Sequence, residues 1–124
     1  MINPLARVRG LGSAKEGTHH WLGQRMTAVA LIPLVLWFMC SLVGLMGADL
    51  ATIKGWMSSP FNAVLTACLL IAGFHHAQLG LQVVIEDYIH SHGCKIVAIW
   101  LVKGLAFFFG AAAVFSVVKL AVGG

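Results

Sequence analysis

Charge is what this chain lacks most. Only 10% of its residues are Asp, Glu, Lys or Arg, where a soluble domain carries about 25%. None of these occurs from Met26 to Met46 or between Lys54 and Glu86, and Ile96 to Val118 holds Lys103 alone. Such gaps exclude a water-soluble fold: with 60% hydrophobic residues and a mean hydropathy of +0.92, this is a membrane protein. Acidic residues are the scarcest, namely Glu16, Asp49, Glu86 and Asp87. The net charge of +4 comes from basic residues spread along the chain. They form no clustered face, so nucleic acid is excluded as a partner. Cys40, Cys68 and Cys94 have no metal-ligand spacing, which leaves them as free, buried thiols acting as small hydrophobes. There is no internal repeat.

What remains is an all-α membrane protein with three transmembrane helices. Each span needs about 20 apolar residues, and the runs at about 19–47, 60–89 and 94–120 supply them. They use nearly all of the 124 residues and leave no room for an extramembrane domain. Residues 1–18 form a basic cytoplasmic lead-in, where Ser13-Ala14-Lys15-Glu16 fits a capping box. The first apolar run is too long for a signal-peptide core and is expected to be retained. Trp21 stands at interface level before it, and Pro33 is tolerated inside it. Ala48 to Ser59 reads as a polar loop, Ser59-Pro60 as an N-cap with proline at the first helical position, and Ser91-His92-Gly93 as a tight turn. Arg7, Arg9, Lys15, Arg25 and Lys95 lie on one side against Lys54 and Lys119 on the other. The N-terminus is therefore expected in the cytoplasm and the C-terminus outside.

Chemistry concentrates in Phe74 to His90. A histidine in a spanning helix is costly enough that function is its default reading, although a neutral imidazole bonded to a neighbouring helix remains open. Adjacent helical residues point about 100° apart, so His75 and His76 cannot serve one site. Gly80, one turn from His76, has no side chain to block a flat macrocycle such as haem, and Gly73 and Ala77 keep that surface small. His76 is therefore the candidate ligand, and His75 is expected to pack on another helix. A haem between helices commonly takes two ligands, and no second one lies at this depth. His19, His20, His90 and His92 are all near the cytoplasmic end. Either one ligand holds the iron, or a partner chain supplies the other.

Asp87 lies 11 residues after His76, about 16 Å along the helix and on nearly the same face. Asp87 and Tyr88 read either as a helix end with an aromatic anchor or as a site for a lipid-soluble substrate bearing carbonyls, which a phenol would hydrogen-bond. Glu86 is expected to be solvated, and Lys103 to snorkel to the inner surface. His20 and Arg25 suit anionic haem propionates or lipid headgroups, and Arg25 equally suits an ordinary positive flank.

His76-Ala77-x-x-Gly80, with Asp87-Tyr88 after it, resembles the small membrane-anchor subunit of succinate dehydrogenase in respiratory complex II. Gly17-Thr18-His19-His20 to Arg25-Met26-Thr27-Ala28 is similar to that family's approach to its first span, although Glu86 stands where many members have threonine. The resemblance implies that His76 is an axial ligand of haem b shared with a second, cytochrome b-type anchor subunit, and that Tyr88 and Asp87 belong to the ubiquinone site. It also implies flavoprotein and iron-sulfur partners that oxidise succinate, and a place in the bacterial inner (cytoplasmic) membrane rather than the mitochondrial one. The isolated chain is expected to oxidise nothing. The alternatives are a fumarate reductase anchor, or a small transporter or channel subunit using His75, His76 and Lys103 as a polar path.

Overall fold

The computed structural model describes residues 4–5 and 15–123. Its long elements are α1 (Lys15–Gly44), α3 (Pro60–Tyr88) and α4 (His92–Ala121), with the short α2 (Leu50–Ser58) between α1 and α3. Each long helix is apolar enough to cross a membrane, and no strand occurs among the described residues. A helix of 30 residues, such as α1 or α4, is about 45 Å long. That exceeds a hydrocarbon core of about 30 Å, so these helices tilt or project from it. Ser13 and Ala14 of the expected capping box, with Arg7 and Arg9, lie outside the described residues.

Helix α3 is the centre of the fold. It packs against both α1 and α4, which do not approach each other closely among the described residues. Its start is as expected, with Ser59 at the N-cap and Pro60 in the first turn, where a missing N–H costs nothing. Its last turn closes with the Ile89 N–H donating to Ile85 O at 3.0 Å. Ser91 then stands at the N-cap position of α4 without a side-chain cap bond, and the Lys95 N–H donates to Ser91 O at 2.9 Å. The turn is therefore at residues 89–91, not at the expected Ser91-His92-Gly93, because His92 and Gly93 already belong to α4. Small residues bring the spans together, as they must where lipid removes the hydrophobic drive for helix association. Phe74 of α3 lies over Gly110 of α4, its Cγ 3.4 Å from where a Cβ would stand. Leu79 Cδ1 comes within 3.3 Å of the corresponding position at Gly23 of α1. The helix α1 runs unbroken through Pro33.

Two further expectations are corrected. The segment after α1 is not a plain loop: Gly47, at φ +80°, makes the turn, and Asp49 caps a nine-residue helix by accepting the Thr52 N–H at 2.9 Å. Trp56 of α2 stacks on Trp37 of α1 with ring centroids 5.6 Å apart, and Phe61 meets Trp37 edge-on. The Asn62 side chain donates to Trp56 O at 3.0 Å, tying α2 to α3. The cysteines are free as expected but exposed rather than buried. Three helices in a row bury little, and among the described residues only Thr66, Leu79 and Val117 are buried.

Candidate functional site

The site grows from the face on which α1 and α3 meet. Residues three and four apart in a helix share a face, and on α1 that face carries His20, Gln24 and Thr27. Opposite them, in antiparallel register, Thr27 meets His76, Gly23 meets Leu79, and Gln24 reaches Gly80. Thr27 Oγ1 stands 3.1 Å from His76 Nδ1, and also 2.8 Å from Gly23 O and 3.1 Å from Gln24 O. His76 is half-buried, and its Nε2 makes no hydrogen bond among the described residues. A Cβ at Gly80 would meet only Gln24 Nε2, at 3.7 Å, and one at Gly73 would meet nothing within 4 Å. His20 Nε2 and Gln24 Oε1 are buried with no hydrogen-bond partner among the described residues. The α1–α3 face thus carries an imidazole with one free ring nitrogen and, towards the start of α1, two unsatisfied polar atoms. Among the described residues no group of three or more His, Cys, Asp or Glu could hold a metal on its own.

His75 is placed quite differently. It is exposed and lines a cleft of about 630 Å³ between α3 and α4, with Phe74, Gln78, Lys103, Phe107 and Gly110. His75 also reaches towards α1, its Nε2 3.9 Å from where a Cβ on Gly23 would stand. The lining of the cleft continues into a ladder of side chains four residues apart. Gln78 Nε2 donates to Gln82 Oε1 at 3.3 Å, and Gln82 Nε2 donates to Glu86 Oε1 at 3.2 Å. Lys103 Nζ lies 5.7 Å from the Trp100 ring, turned along α4 towards its N-terminal end. Asp87 and Tyr88 close α3, both exposed, with Tyr88 at 78%. Arg25 is exposed with its guanidinium 5.4 Å from the Trp21 ring, whereas His20 is half-buried. These two share a helix but not a face.

Residues 1–118 match the family described as succinate dehydrogenase/fumarate reductase transmembrane subunit. The chain belongs to this family. Among its relatives, the succinate dehydrogenase hydrophobic membrane anchor subunit of Paracoccus denitrificans is 32% identical over 123 residues, covering 98% of this chain and 94% of the relative. The corresponding subunit of Rickettsia bellii is 36% identical over 99 residues, covering 80% and 79%. The succinate dehydrogenase membrane anchor subunit of Reclinomonas americana is 31% identical over 98 residues, covering 74% and 79%. Membership in the succinate dehydrogenase membrane-anchor family makes this a multi-pass subunit of an oxidoreductase complex. It also accounts for how little of the molecule is buried, since the outer helix faces are left for lipid and for other subunits.

Thr27, Gln24 and the glutamine ladder are the site-level features that reading the residues singly had missed. The ladder had a signal in its four-residue spacing. Thr27 had none until the register of α1 against α3 was known.

Proposed function

We propose that this anchor subunit attaches the flavoprotein and iron-sulfur subunits to the membrane, co-ligates haem b through His76 and forms part of a ubiquinone-reduction site with Tyr88 and Asp87. The observation that carries this reading is that α3 holds a tethered imidazole and, about 16 Å away along its axis, a terminal acid and phenol.

The residues present fit a haem. His76 offers an unbonded Nε2, Gly73 has open space around it, Gly80 faces the flexible end of the Gln24 side chain, and the orphaned His20 Nε2 and Gln24 Oε1 offer polar contacts to an acidic edge. His20 reaches such an edge from the Thr27 face, and Arg25 adds a guanidinium from the adjoining exposed face. When bound, haem supplies reversible one-electron chemistry. The second ligand comes from a cytochrome b-type partner subunit, because the other histidine of this chain at that depth, His75, borders the α3–α4 cleft, and the rest lie near the helix ends.

At the end of α3 the Tyr88 hydroxyl donates a hydrogen bond to a quinone carbonyl. That bond strengthens as negative charge develops on the oxygen during reduction, which is where such a donor contributes most. Asp87, beside it and open to water, hands on the protons that reduction consumes. The N-terminus and this end of α3 face the cytoplasm of a bacterial inner membrane, where succinate-derived electrons arrive. Catalysis belongs to the assembled complex, and the isolated chain has no activity.

The test is Tyr88→Phe in the full complex. Succinate–quinone activity should fall at least tenfold while reduction of a soluble acceptor persists; equal loss of both would contradict a quinone role for this residue.

A further inference from the structure

We infer that Thr27 is a positioning residue for His76: by accepting its Nδ1–H, the hydroxyl fixes the tautomer whose Nε2 lone pair faces a metal. This rests on the haem-ligand reading above and adds a residue to it.

The argument is one of proton count. A threonine hydroxyl has one proton and two acceptor lone pairs. The shortest contact of Thr27 Oγ1 is Gly23 O at 2.8 Å, with Gln24 O at 3.1 Å, and both are carbonyls that can only accept. The Thr27 proton is therefore spent on its own helix, the usual arrangement for a helical threonine. Towards His76 Nδ1, at 3.1 Å, the oxygen acts as acceptor, so Nδ1 carries the hydrogen. A neutral imidazole with its proton on Nδ1 has its lone pair on Nε2. In a spanning helix little water competes for Nδ1, so the tautomer is held more firmly than it would be at a surface.

The close approach of the helices makes this contact possible. Gly23 lets Leu79 come within 3.3 Å of the position a Cβ would occupy, which draws α1 onto α3 one turn from Thr27. His75 makes no hydrogen bond among the described residues; it lines the α3–α4 cleft, and its Nε2 only comes within 3.9 Å of the Cβ position at Gly23. Of two adjacent histidines, only one has its ring orientation and its tautomer set.

Partners of this kind orient a ligating histidine and raise its basicity, and losing one costs about 10–100-fold in metal affinity. A more basic imidazole favours ferric over ferrous iron, so removing the Thr27 hydroxyl should raise the midpoint potential of any haem that remains.

The experiment uses the full complex carrying Thr27→Val, Thr27→Ala, Thr27→Ser or His76→Ala, measured per assembled complex. Its readouts are the rate at which haem leaves to excess apomyoglobin and the midpoint potential in a redox titration. Val and Ala should lose haem about 10–100-fold faster and titrate at a higher potential, whereas Ser, which keeps the hydroxyl, should match the unsubstituted complex. Unchanged retention and potential in Thr27→Val would overturn the inference, as would a Ser variant as impaired as Val, which would mean that only the methyl group matters. An unaltered haem in His76→Ala would instead overturn the ligand assignment beneath it.

Discussion

His76 Nδ1 lies 3.1 Å from Thr27 Oγ1, while its neighbour His75 turns to the α3–α4 cleft that it shares with Lys103. Two histidines at consecutive positions thus make different contacts, His76 with Thr27 and His75 with the cleft, although the His75 Nε2 also approaches Gly23 of α1. His75→Ala and Lys103→Met should accordingly leave the haem spectrum and the succinate–quinone activity of the complex within about twofold of normal. Loss of haem in either variant would shift the ligand role towards the cleft.

Packing between α1 and α3 depends on Gly23. A Cβ there would stand 3.3 Å from Leu79 Cδ1 and 3.9 Å from His75 Nε2. Leu79 can yield to a methyl group by moving the end of a flexible side chain, so Gly23→Ala should lower thermal stability only slightly. A leucine cannot be placed without parting the helices. Gly23→Leu should cost about 1–3 kcal/mol, as overpacking does, and should accelerate haem loss by separating Thr27 from His76. Thermal unfolding and haem retention of the purified complex check both effects.

Asp49 accepts hydrogen bonds from Thr52 at the start of α2, and these hold its carboxyl below the ordinary value of 3.8. A depressed carboxylate pKa contributes stability above the unfolded value and loses it as pH falls through the folded one. The cap should therefore be intact at neutral pH and fade only in acid below about 3.8. The Thr52 amide resonance should titrate with a midpoint below 3.8, and in Asp49→Asn it should show no such acid titration. A Thr52 midpoint above 3.8 in the unsubstituted chain would count against the cap.

Much of this was legible in the sequence, and the gaps have physical causes. The spans follow from the charge-free runs, and Ser59-Pro60 marks the start of α3 because proline loses nothing there. The family was legible in His76, Gly80, Asp87 and Tyr88, whose spacing on one helix needs no tertiary information. Helix α2 was not legible, because glycine, serine and lysine in a short polar segment look like a loop unless Asp49 is matched to the Thr52 amide as its cap. Thr27 was invisible for a different reason. Its importance comes from the register between α1 and α3, and a threonine inside an apolar run carries no mark of the residue opposite. Cysteine exposure failed as an expectation because the burial rules assume a closed core, and this chain is one part of a larger membrane assembly.

The central claim is that His76 binds the haem iron, and a reduced-minus-oxidised spectrum of the assembled complex with His76→Ala tests it most directly. The account predicts that the b-type haem signal is lost or strongly displaced, while the same spectrum of His75→Ala is unchanged. A full, unshifted haem b signal in His76→Ala would contradict it.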